Sequence, residues 1–206
     1  MAKQKQNQND CQFSLNMLEL IINMTEPKTL SAVNKALKAK FKGKKLVFGR
    51  GVVGARVVVV SDMLDLHGEK EAKPVGGPNA RLLNVLLKRA GVSPSRVYVT
   101  NVIKYRPISD KLPTPKEIRN HAVFLKDEIR SVNPEFVVTL GDLALNGVGL
   151  RVPIENVHGR TFPLGTCQLM PTFLPNHALK DPTKRILLEE DFARLRILIK
   201  GPKQVA

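Results

Sequence analysis

Tryptophan is absent from this 206-residue chain, aromatic residues make up only 5% of it, and cysteine occurs just twice, as Cys11 and Cys167. Two cysteines that far apart, with no Cys-x-x-Cys pair, exclude a disulfide framework and any four-cysteine metal site supplied by one chain. The four histidines, His67, His121, His158 and His177, are scattered and match no His-Glu-x-x-His spacing, so no metal site is expected. No apolar run reaches the roughly 18 residues that a membrane-spanning helix needs. The first residues, MAKQKQNQND, are polar and lack the apolar core of a secretory signal, which gives a cytoplasmic expectation. The Gly-rich stretch KPVGGP fits neither phosphate-loop nor dinucleotide spacing. Nucleotide cofactors are therefore not expected.

Acidic residues are also in short supply. Only 18 Asp and Glu stand against 33 Lys and Arg, a net charge of +15. Such an excess calls for a polyanionic partner, with nucleic acid ahead of an anionic membrane surface. Six lysines between Lys35 and Lys45 add to it, although a charge run is more often a solvated face. The 43% hydrophobic content is that of an ordinary globular chain. Its length suits a single domain, read as residues 46–200, behind a helical and basic extension (1–45) and ahead of a short tail (201–206). Neither a heptad nor an exposed apolar stripe stands out, so a monomer is expected.

What is present is an alternation. Residues 14–24 and 29–45 read as helices. ARVVVVSD (55–62) is an unbroken apolar run, as expected of a strand covered on both faces. A helical face follows at Leu82, Leu83, Leu86 and Leu87. RVYVTNV (96–102) is a second strand, and Thr114–Pro115 opens a helix to Val132. EFVVTLG, DLALNGVG and CQLMPTFLP continue the pattern before a closing helix over 186–199. Strands separated by helices predict an α/β fold, a three-layer αβα sandwich around a four-stranded, mainly parallel central sheet.

In such a sheet, ligands bind beyond the carboxyl ends of the strands. Four loops meet there: SDMLDLHGEKEAKPVGG, TNVIKYRP, GDLAL and LPNHALKD. Asn101 carries both a carbonyl and an amide, suited to reading the edge of a flipped-out base. Lys104 and Arg106, just beyond it, are suited to phosphates. Asp62 and Asp65 end a buried strand, where a carboxylate orients water, stabilises a developing cation, or simply caps a turn. Gly141 opens a helix whose N-terminus is a phosphate seat.

Taken together, PNARLLNVLLKRAGV, VYVTNVIKYRP, TPKEI, FVVTLGDLAL and HGRTFPL…MPTFLPN, in this order, resemble the uracil-DNA glycosylase superfamily, nearest its iron–sulfur branch. The resemblance covers roughly residues 45–182. It implies an enzyme that binds DNA, flips a nucleotide and hydrolyses its N-glycosidic bond. It also implies a base pocket lined by Ser61, Met63, Val75, Gly76, Asn101 and Asn176. Phosphate contacts fall on Lys104, Arg106, Gly141, Arg160 and Lys180, and Leu179 or Leu174 is the wedge entering the vacated duplex.

The departures from the family pattern are specific. The family's N-terminal pair of cluster cysteines is missing, and its other two align with Tyr105 and His121. The resemblance therefore implies no iron–sulfur cluster and no other cofactor. Asp62 stands in for the family's glutamate. The ring that stacks on uracil aligns with Val75, and the family histidine aligns with Leu174, three residues before His177. Losing a stacking ring removes roughly 1–3 kcal/mol and leaves room beside C5 of the base. On this basis the expected substrate is a bulky, C5-substituted pyrimidine such as glucosylated hydroxymethylcytosine, with phage defence as the setting by analogy. Asp62, Asn101 and His177 are the expected catalytic residues: Asp62 opposite the oxocarbenium-like sugar, Asn101 and His177 toward the leaving base. Two alternatives stand beside this: a catalytically silent DNA-binding relative, and ordinary uracil excision.

Overall fold

A computed structural model describes residues 28–107 and 111–201; the helix expected over 14–24 and most of the tail lie outside the described residues. Four strands run parallel: β1 (Val57–Met63), β2 (Val97–Ile103), β3 (Phe136–Leu140) and β5 (Cys167–Thr172). The expectation of four strands is corrected by a fifth, β4 (Phe162–Leu164), antiparallel to β5 and joined to it through Gly165 and Thr166. Three residues with a central proline give no alternating pattern, and proline suits an edge strand, which β4 is. The strand order is β2-β1-β3-β5-β4.

The valine run of β1 explains the layers. Val58 and Val60 face one side, packed with Leu125 and Ile129 of α4 (Pro115–Val132) and Ala144 of α5 (Gly141–Val148). Val57 and Val59 face the other, against Leu83 and Leu86 of α3 (Gly77–Arg89) and Leu188 and Phe192 of α7 (Pro182–Lys200). Two covered faces require apolar residues at every position of the strand. Helix starts are written locally. Thr114 and Glu117 form a reciprocal capping box on α4, and Asp181 caps α7. Two short helices carry no periodic signal: α2 (Leu66–Glu71), capped by Asp65, and α6 (Pro175–Ala178).

Helix α1 (Leu30–Lys40) buries Val33 and Leu37 and packs on α4. Lys28 pairs with Asp127 at 2.7 Å, while Phe41 stacks on His121, so α1 runs antiparallel to α4 and delivers residues 41–45 to the carboxyl edge of the sheet. From there Val47–Arg50 descends along the outer side of β2. The Val47 N–H donates to the Lys104 carbonyl at 2.7 Å, and Arg50 bridges Val99. This segment occupies an edge that would otherwise offer unpaired backbone. Among the described residues, no helix is long and apolar enough to cross a membrane.

Candidate active site

The register of the sheet assembles the site. Ser61 of β1 lies opposite Asn101 of β2, and Leu140 of β3 opposite Thr172 of β5. The next residues along each strand therefore share one edge. At its centre are Asp62, Gly141 and Leu174. Gly141 has φ +85°, and a Cβ there would stand 2.8 Å from Leu174 Cγ and 3.2 Å from Asp62 Oδ2. Only glycine tolerates both the dihedral and the approach. Asp62 Oδ1 accepts the Ala144 N–H at 2.9 Å, near the start of α5. Burial nonetheless lifts its carboxyl from 3.8 to about 7, because desolvation outweighs that hydrogen bond and Asp142 adds repulsion. Leu174 supplies apolar surface at the same glycine that the carboxylate approaches. Asp65, by contrast, is a cap: it accepts Gly68 N–H at 2.6 Å and Asn79 Nδ2 at 3.1 Å.

Asn101 is fully buried, and its Nδ2 donates to the Pro74 carbonyl at 2.8 Å. A carbonyl can only accept, so this bond fixes which end of the amide is nitrogen. The Oδ1 is left buried without a partner. Val75 follows, half-buried against the α3 side of the core. The room expected beside Val75 does not extend over Gly76 and Gly77, where α2 approaches closely. A Cβ on Gly76 would lie 2.6 Å from Gly68 N, and one on Gly77 would lie 2.6 Å from the His67 ring. The glycines serve the close approach of α2, which fills the space beside them.

Lys104 is a second correction. Expected on phosphates, it is 1% exposed, with Nζ 2.5 Å from Glu128 Oε2 and hydrogen-bonded to Thr100. Glu128 also accepts from Tyr98 at 2.7 Å and Thr100 at 3.0 Å. Burial lowers the Lys104 pKa and Glu128 opposes that shift; burial and Glu128 together raise the Tyr98 pKa. The available signal was Glu128 itself, an acid inside the apolar stripe Leu125, Ile129, Val132.

The remaining candidates sit as follows. Arg106 lies 3.6 Å from Glu69 and is half-buried. Ser61 is buried in β1, and Met63 packs partly against the α4 side of the core. Asn176 and His177 are exposed on α6, Leu179 is 46% exposed just after it, and Lys180 and Arg160 are exposed nearby on the β5 flank. The wedge role of Leu174 gives way to packing on Gly141, while Leu179 keeps the exposed position.

The cluster implied by the iron–sulfur branch does not fit the residues present. Phe41 stacks on His121 with centroids 3.9 Å apart and planes 8° from parallel, and Tyr105 leans on both rings. His121 is buried with neither ring nitrogen bonded, and burial with the nearby Lys104 charge lowers its pKa to about 4. It is an uncharged packing ring. Cys167, buried in β5, is the free cysteine among the described residues. Removing Phe41 as Phe41→Ala is expected to cost about 2 kcal/mol, the burial and stacking of one half-buried ring. Thermal unfolding should register this as a loss of roughly 4–8 °C, and iron chelation during purification should leave Tm unchanged. A chelator-sensitive Tm, or the visible absorption of a cluster, would overturn this assignment.

A family profile described as the uracil DNA glycosylase superfamily matches residues 48–196. The type-4 uracil-DNA glycosylase of Thermotoga maritima is 34% identical over 151 residues, covering 70% of this chain and 79% of that protein. The corresponding enzyme of Sulfurisphaera tokodaii is 29% identical over 166 residues, 76% of each chain. A DNA polymerase of Bacillus phage SP01 contains a region 28% identical over 160 residues, 76% of this chain but 17% of that protein. With this sheet, this loop edge and these relatives, the chain belongs to the uracil-DNA glycosylase superfamily, near its type-4 branch, and is a DNA N-glycosylase.

Proposed function

We propose that this enzyme excises a pyrimidine bearing an N3–H donor, uracil or a uracil substituted at C5, from DNA. The observation that carries the reading is the buried, unpartnered Oδ1 of Asn101 beside an amide already oriented by Pro74. A buried acceptor without a partner costs about 1–3 kcal/mol, which a bound donor offsets. Uracil presents N3–H at that edge, whereas cytosine presents an acceptor at N3. Uracil's O4 would face the second amide hydrogen of Asn101, whereas cytosine would bring an amino group there. The amide orientation therefore favours a uracil-type edge over the glucosylated cytosine suggested by the sequence.

As the glycosidic bond breaks, positive charge develops on the sugar and negative charge on the departing base. Asp62, when ionised, stabilises the former; Asn101, with Asn176 or His177 from α6, donates to the latter. Val75 supports a second reading within the same class. Without a ring beside C5, a hydroxymethyl or larger substituent fits, and a role against modified phage DNA belongs to this reading alone.

Duplexes carrying uracil, 5-hydroxymethyluracil, 5-hydroxymethylcytosine or its glucosylated form distinguish these cases when abasic sites are read by alkaline cleavage. Release from both uracil-type bases and neither cytosine-type base is expected. Val75→Phe should then reduce release of 5-hydroxymethyluracil about tenfold or more and spare uracil, in line with the cost of filling a small apolar pocket. Cleavage of the cytosine derivatives alone would contradict the reading of Asn101. Tight DNA binding with no release from any substrate would make the chain a silent binder.

A further inference from the structure

With Lys104 withdrawn into the core, the β2 flank of the site edge needs another source of positive charge. Residues 42–45 supply one. Helix α1 climbs α4 from the Lys28–Asp127 pair to the Phe41–His121 stack, and the Val47–Lys104 backbone bond fixes where the chain turns down again. The turn between them stands at the carboxyl end of β2, and Lys44 Nζ lies 4.9 Å from the Tyr105 ring centroid. Lys42, Lys44 and Lys45 are all exposed, and so are Lys111, Lys116 and Arg119, which belong to the loop before α4 and its first turns. None of the six forms an ion pair among the described residues; the same holds for Lys88, Arg96 and Lys200 at the other pole, so what sets the six apart is their place at the active-site edge. Unpaired cations gathered at one edge of the active-site face repel one another, and the interaction that relieves this is with a polyanion.

Geometry sets the direction of that polyanion. The four parallel strands span about 14 Å at the usual spacing, roughly four nucleotides of one DNA strand. Arg160 and Lys180 flank the β5 end of this span, and the lysine turn flanks the β2 end. We propose that Lys42, Lys44 and Lys45, with Lys116 and Arg119 behind them, form a track for the backbone of the DNA flanking the flipped nucleotide, extending the footprint beyond β2. The inference rests on the chain acting on DNA, as argued above. It gives the lysine run before the family-matched region a function of its own.

The test is a salt titration of duplex binding with three proteins: wild type, Lys42→Gln/Lys44→Gln/Lys45→Gln, and a control, Lys88→Gln/Arg96→Gln/Lys200→Gln. The control residues are exposed at the opposite pole, where α3 and α7 end and β2 begins. Each phosphate contact contributes about 0.9 to the slope of log K against log salt. The turn variant is expected to lose about 2.7 from the wild-type slope and the control nothing. An unchanged slope in the turn variant overturns the proposal. So does an equal loss in both variants, which would show a net-charge effect without a track. Failure of the wild type itself to bind DNA would instead strike at the DNA-acting reading on which the proposal depends.

Discussion

Asp62→Asn should lower the rate of base release by about 10²–10³-fold while leaving duplex affinity unchanged. That is the usual cost of removing one preorganised electrostatic group from a site that stabilises developing charge. Asparagine keeps an oxygen for the Ala144 N–H, so the loop geometry survives and the missing charge is what the rate reports. The pH dependence is a sharper signature. A carboxyl titrating at about 7 is neutral, and useless for stabilising a cation, below that pH. The wild-type rate should rise with pH through about 7 and then level off, and the variant should lack this limb. Stability runs the opposite way. The folded-state pKa of Asp62 lies above its unfolded value of 3.8, so its contribution is fully present below pH 3.8 and is lost as pH rises through about 7. At pH 8 the variant should therefore be more stable than the wild type, by up to about 4 kcal/mol at 1.36 kcal/mol per pKa unit. A variant with normal activity and a normal pH profile would remove Asp62 from the mechanism.

The second large effect is on folding. Lys104→Met removes the cation facing Glu128 and leaves a carboxylate that is 1% exposed with only the Tyr98 and Thr100 hydroxyls. Breaking one side of a buried pair typically costs about 3–5 kcal/mol, because the remaining charge stays desolvated. In a chain of this length that is a fall in Tm of roughly 6–20 °C. Adding Glu128→Gln to the same variant should recover most of the loss, since no uncompensated charge then remains. A Lys104→Met protein of normal Tm whose salt dependence of DNA binding had flattened would instead put this lysine back on the phosphates.

Much of the fold was legible because its signals are local. The valine run of β1, the leucines of α3 and the Thr114–Glu117 box each specify their element without help from distant residues. The elements that were not legible, α2, α6 and β4, are short and carry no periodic signal, so packing completes what a local cap such as Asp65 only begins. The site divides along the same line. Asp62, Asn101 and Gly141 could be placed from strand ends alone, because the register of a parallel sheet aligns those ends. That Lys104 turns inward depends on Glu128, 24 residues away on another element, and that Gly76 and Gly77 are filled by α2 depends on a helix without periodicity. A charged residue beside a predicted site reads the same whether it faces solvent or a buried acid; the tie is broken by a carboxylate in an otherwise apolar stripe.

The backbone pairing between Val47–Arg50 and β2 bears on how this enzyme can be trimmed. A fragment starting near residue 51 would retain nearly all of the family-matched region and every residue of the catalytic edge. It would also present one side of β2, from Val99 to Lys104, as a bare template for strand addition by another copy. Poor solubility of such a minimal fragment would report intermolecular sheet extension, a failure unrelated to the chemistry of the site.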